Sequence, residues 1–113
     1  PAIINSSNKV KCNQIEINCD IGNFKANDLV QLAVRPEDIQ FKQLNQDDNI
    51  ISGIIKEVEF LGSFQRVYFE VINFTDQLII VDVPSSTARK IELDINKEMN
   101  LYFSRQDARI YST

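Results

Sequence analysis

A change of parity within residues 51–60 constrains this chain more than any other feature. Ile51, Gly53 and Ile55 occupy one set of alternate positions, whereas Val58 and Phe60 occupy the other. Alternate residues of a strand face the same side. A strand that keeps one apolar face inward here therefore needs an extra residue near Lys56-Glu57. A β-bulge supplies that residue, and it also sharpens the bend and twist of the strand. Small closed or nearly closed barrels require such bending.

The rest of the chain repeats the period of two. Val30, Leu32 and Val34 alternate with Gln31, Ala33 and Arg35 until Pro36 stops the strand, and Ile39 and Phe41 resume the alternation. Val67, Phe69 and Val71 share a face after Gly62, while Tyr68 and Ile72 make the other face partly apolar. Leu78 to Val83 is apolar on both faces apart from Asp82; Met99, Leu101 and Phe103 alternate again, and Arg109-Ile110-Tyr111 reads as a closing strand. Shorter strands are expected at Ile3-Ile4, Val10 to Cys12 and Ile15 to Ile17, and a turn at Asn73 to Asp76. Helix is expected only as a turn or two, at Pro36 to Asp38 and Ser85 to Lys90. Many short strands at this spacing predict an all-β fold of small, OB-fold-like barrels. The amide-rich stretch Gln43 to Asn49 is the natural seam, dividing a first β sub-region (1–48) from a second, OB-like one (49–113).

At 113 residues the chain is a one-domain length. Its longest apolar run, Leu78 to Val81, is strand-sized, so no direct membrane insertion is expected. The net charge is −4, and acids and bases are interleaved in both halves. A nucleic-acid groove lined by Phe60, Phe64, Tyr68 and Phe69 would need a basic stripe that the chain lacks. Cys12 and Cys19 are spaced neither as a redox pair nor as a zinc pair, and the chain has no histidine. Two reduced, half-buried thiols are expected, with no metal site and no cofactor.

Catalytic signals are missing. Gly22, Gly53 and Gly62 are followed by Asn, Ile and Ser, so neither a phosphate loop nor a GxGxxG turn is present. No GxSxG elbow exists. The adjacent carboxylates Glu37-Asp38 and Asp47-Asp48 would point to opposite faces of a strand and do not make an acid/base dyad. The chain is not expected to be an enzyme.

The string Leu32-Ala33-Val34-Arg35-Pro36-Glu37-Asp38-Ile39 has a clear local mechanism. Pro36 forces Arg35 to be extended, ends the strand and starts a short turn with Glu37 and Asp38 at its positive end. Arg35 is placed at the strand end, where a carboxylate can pair with it. This string closely resembles the "VRPED" signature of the TOBE domain, an OB-like accessory domain found after the nucleotide-binding domain of many bacterial ABC importers. Gly53-Ile54-Ile55 resembles the family's "G-x-V" strand, and Glu57 to Ser63, with Phe60, Leu61 and Gly62, its "E-x-x-x-L-G" turn. Val83-Pro84 resembles its "V-P" corner, Leu93 to Leu101 its "L-x-x-G-D-x-V-x-L" element, and Gln106 to Tyr111 its final strand. Asn96-Lys97 departs from the usual Gly-Asp, but Asn tolerates the left-handed conformation such a turn needs.

The resemblance implies a piece of a larger parent that couples ATP hydrolysis to solute import. ATP and Mg would bind an upstream domain, membrane permease subunits would be partners, and the parent would sit on the cytoplasmic face of the inner membrane. This domain would help two copies associate as a homodimer, in which exposed apolar faces at Tyr68–Ile72 and Ile79–Val83 offer a physical basis for contact. The alternative is a small oxyanion-binding module. Ser85, Ser86, Arg89 and Lys90 gather hydroxyls and cations in one loop that begins at Pro84.

Overall fold

The structure, a computed structural model, describes residues 2–6, 9–12, 15–72 and 78–112. The expected turn at Asn73 to Asp76 and the side chain of Cys12 lie outside the described residues. The fold is all-β and OB-fold-like. Its nine described strands are β1 (Ala2–Ser6), β2 (Lys9–Cys12), β3 (Ile15–Asn18), β4 (Leu29–Val34), β5 (Asn49–Phe60), β6 (Phe64–Val71), β7 (Leu78–Pro84), β8 (Glu98–Phe103) and β9 (Ala108–Ser112). Among the described residues, helix is confined to a 3-10 turn at Pro36–Asp38 and one α turn at Ser85–Ala88, the two places where the sequence allows it. No helix of the described residues is long and apolar enough to cross a membrane.

Two compact units share the chain. The first takes Pro1–Val34, Gln43–Asn49 and Phe103–Thr113; the second takes Arg35–Lys42 and Ile50–Tyr102. Gln43–Asn49 belongs to the first unit, and the last strand returns to that unit as well. The reason is pairing: β9 lies antiparallel to β4, with Leu32 opposite Ile110 and Val34 opposite Ala108.

In the first unit, the strand order is β3-β2-β1-β4-β9. Ile4 stands opposite Val10, and Val10 opposite Ile17, so one face of the sheet buries Ala2, Ile4, Val10, Ile17, Val30 and Ala108. Asn49 is the one buried polar residue among those described, and both ends of its amide are bonded. The Asn18 N–H donates to Asn49 Oδ1 at 2.7 Å, and Asn49 Nδ2 donates to the Asn18 carbonyl at 2.9 Å. A side chain thereby imitates a neighbouring strand at the end of β3.

In the second unit, the order is β7-β6-β5-β8. Strand β5 is continuous over 12 residues, and its register against β6 shifts between Ile55, opposite Phe69, and Glu57, opposite Tyr68. Lys56 is the extra residue of the bulge that the parity change predicts. Val58 is returned to the inner face, opposite the buried Val67. Phe60 shares that face but lies at the strand end, beyond any cover, and is 78% exposed. Ile39 and Phe41 do not form the expected strand: Gln40 makes a single bridge to Tyr102, with mutual backbone hydrogen bonds of 2.8 Å. That one bridge still seats Ile39 in the core and tilts the Phe41 ring against Phe69 at 6.0 Å.

Candidate functional site

The corner at Arg35 is built as its residues dictate. Arg35 is extended (φ −68°, ψ 139°), Pro36 opens the 3-10 turn, and the Asp38 N–H donates to the Arg35 carbonyl at 3.0 Å. The turn packs along β7. Arg35 and Glu37 are exposed and Asp38 is half-buried. Arg35 makes no ion pair among the described residues. The corner thus redirects the chain from β4 into the second unit.

Phe60, Leu61, Gly62 and Pro84 come together at the tip of the β5–β6 hairpin. Phe64 stands opposite Pro84 in the ladder, Gly62 is left-handed (φ 83°), and the Leu61 N–H donates to the Phe64 carbonyl at 3.0 Å. Ser85 clamps this tip twice: its N–H donates to the Ser63 carbonyl at 3.0 Å and its hydroxyl to the Gly62 carbonyl at 2.8 Å. Ser85 is therefore engaged in holding the hairpin. Ser86, Arg89 and Lys90 remain exposed beside it. Gly53 lies elsewhere, on the inner face of β5, where an added Cβ would stand 3.0 Å from the Cβ of Phe69. Only a residue without a side chain lets Phe69 reach its buried place.

The outer face of the second unit is tied by cross-strand pairs. Arg66 meets Asp82 through two bonds, Nε–Oδ1 at 2.9 Å and Nη2–Oδ2 at 3.1 Å, and its guanidinium lies 5.7 Å from the Phe64 ring centre. The Tyr68 hydroxyl donates to Glu59. That bond, with some loss of water, raises the Tyr68 pKa, because ionising the phenol would set two anions together. The apolar segments expected to mediate association are largely used here: Phe69, Val71, Val81 and Val83 are buried, and Tyr68, Ile72, Ile79 and Ile80 half-buried.

A cleft in the first unit was not legible in the sequence. It measures about 520 Å³ and lies between Asp20–Phe24 and Arg105–Ile110. Arg105 Nη2 pairs with Asp20 Oδ1 at 2.9 Å, and Gly22 turns the near wall with φ 58°. Arg109 lines the cleft without an ion pair among the described residues. Phe24, Ile21 and Ile110 are half-buried and give it apolar walls. Cys19, fully buried, is a free thiol. Burial pushes its pKa up, the Asp20 charge pushes it further, and Arg105 opposes both, so it is a packing residue and not a nucleophile. An arginine with uncommitted donors beside an apolar wall is suited to a carboxylate or oxyanion. Asp20 and Arg105 are 85 positions apart, and no local pattern announces their meeting. Among the described residues no group of three His, Cys, Asp or Glu is placed to hold a metal.

No curated protein matches this sequence. Among solved structures, the chain is similar to the cytoplasmic molybdate-binding protein ModG in a crystal form with molybdate bound. The TM-score is 0.81 over 99% of this chain and 93% of that one, at 11% identity; at that identity the likeness speaks to fold alone. A family model described as the TOBE domain matches residues 32–110. That span runs from within β4, through the Arg35 corner, the bulged β5 and the clamped hairpin, to β9, and on this match the chain belongs to the TOBE domain family.

Proposed function

We propose that this chain is a non-catalytic accessory and association domain of an ATP-binding protein that powers a bacterial ABC importer. The carrying observation is the TOBE match over residues 32–110, together with the Arg35 corner and Gly62 hairpin that the importer family's signatures resemble. On this reading, ATP and Mg are handled by a nucleotide-binding domain upstream of residue 1, and membrane permease subunits receive the stroke on the cytoplasmic face. The TOBE region joins two copies of the parent. The parent reading frame is the test. A Walker A motif and an ABC signature are expected in frame before residue 1; a different upstream domain sinks the proposal.

A second reading has an observation in its favour. The Arg105–Arg109 cleft offers a guanidinium, that of Arg109, without an ion-pair partner among the described residues, and the fold is shared with a protein described as molybdate-binding. In this reading the first unit binds a small oxyanion there, and not at the Ser85 loop, where one hydroxyl is already engaged. Titration calorimetry with molybdate, sulfate, phosphate and methylphosphonate tests it. Heat with one anion, lost in Arg109→Ala, supports it, and no heat with any of the four ends it.

A further inference from the structure

The charges around the cleft between Asp20–Phe24 and Arg105–Ile110 select among anions. Asp20, Arg105 and Arg109 are the charged side chains that line it. Arg105 is held by Asp20 at 2.9 Å, and Arg109 forms no ion pair among the described residues. Two guanidiniums and one carboxylate leave a single positive charge for a ligand. A monoanion is balanced there. A tetrahedral dianion brings a second negative charge beside Asp20, with no free cation in the lining to meet it.

The walls add a second constraint. Ile21, Phe24 and Ile110 line the cleft and are half-buried. A bare inorganic anion loses water against such groups without replacement, whereas an apolar group gains by covering them. Strand β9 adds a third. Consecutive residues of a strand face opposite sides, so a cleft lined by Ala108, Arg109 and Ile110 together runs along the edge of β9. That strand ends its sheet, with none beyond it among the described residues, and an antiparallel end strand turns alternate N–H groups away from its neighbour. A flat carboxylate can take two parallel bonds from one guanidinium, or share itself between the guanidinium and the edge. The volume of about 520 Å³ falls within the range of about 300–1,000 Å³ that small-molecule sites occupy.

We propose that this cleft binds a small monocarboxylate that carries an aromatic or branched apolar body. The carboxylate pairs with the Arg109 guanidinium, and the body lies against Ile21, Phe24 and Ile110. This rests on the second reading above only in taking the cleft as an anion site; the class of anion differs. Tetrahedral dianions have one charge too many and nothing to set against the walls. Asp20 is the residue that sets this choice, because it holds Arg105 back from the ligand and repels a second negative charge.

Amide chemical-shift titration of the full chain with phenylacetate tests the site. Saturable shifts should centre on residues 20–24 and 105–110. Acetate lacks the apolar body, 2-phenylethanol lacks the charge and sulfate carries two charges; each should bind about tenfold more weakly or worse. Arg109→Gln should weaken phenylacetate about tenfold or more with the melting temperature unchanged, because Arg109 is exposed. Asp20→Asn releases Arg105, so phenylacetate should bind about threefold tighter or more, and sulfate should gain more than phenylacetate does. Sulfate or molybdate binding as well as phenylacetate, or better, overturns this ligand class and leaves the oxyanion reading standing. Phenylacetate binding with no response to tetrahedral anions upholds it and ends that reading. No response to any of these ligands overturns both. Phenylacetate affinity that survives Arg109→Gln, or a sulfate affinity that Asp20→Asn leaves unchanged, overturns the assignment.

Discussion

Replacing Asn49 tests how the first unit is closed. Its amide serves both the N–H and the carbonyl of Asn18, at 2.7 and 2.9 Å, from a position only 5% exposed. Asn49→Ala removes both bonds and strands two partly buried backbone groups. Each orphaned group costs roughly 1–3 kcal/mol, and water entry at the half-buried Asn18 relieves part of that, so a loss of about 2–4 kcal/mol is expected. Asn49→Asp separates the two bonds. One oxygen still accepts from the Asn18 N–H, but the other now faces the Asn18 carbonyl. The ionised side chain is therefore disfavoured and its folded pKa is raised. A raised pKa contributes stability below the unfolded value of about 4 and loses it as pH rises through the folded value. Measured against the unaltered chain at the same pH, Asn49→Asp should be mild near pH 4 and more damaging near neutrality, by about 1 kcal/mol or more. Urea unfolding followed by circular dichroism at both pH values is the assay. An alanine variant within about 0.5 kcal/mol of the unaltered chain, or an aspartate variant indifferent to pH, would refute the strand-imitating role.

Three further outcomes follow from the geometry. Gly53→Ala sets a Cβ 3.0 Å from the Cβ and 3.1 Å from Cδ1 of the fully buried Phe69; neither can swing away, so chemical denaturation should show a loss of about 1–3 kcal/mol. Asn96 has φ 72°, so Asn96→Val should cost about 1–2 kcal/mol while Asn96→Gly is neutral or slightly stabilising, as read from unfolding midpoints. Tyr68 has a raised folded pKa, so the stability its phenol contributes is complete below the unfolded value of about 10 and is lost as pH rises through the folded one; Tyr68→Phe should flatten the alkaline fall in melting temperature.

Much of the fold was legible because its causes are local. The parity change in β5 leads to a bulge at Lys56, Pro36 to a strand end and a 3-10 turn, and Asn96 to a left-handed turn. Ile39 and Phe41 mislead because their alternation is genuine, yet only Gln40 finds a strand partner. The Asp20–Arg105 cleft was illegible for a different reason. Its walls meet only after β9 has paired with β4, and a lone acid and a lone arginine far apart carry no pattern.

Sequence alone therefore determined that this chain is β material, where its strands bend, and which turns need unusual backbone. Those properties follow from side-chain alternation, ring closure in proline and the steric freedom of glycine and asparagine, all set within a few residues. Tertiary structure decided which strands pair, which apolar residues stay in water and which charges meet. Phe60 has the same alternation as Val58 and pairs with the same strand, yet Val58 is half-buried and Phe60, at the hairpin tip, is exposed. Burial belongs to the surroundings a residue acquires, and those come from distant parts of the chain.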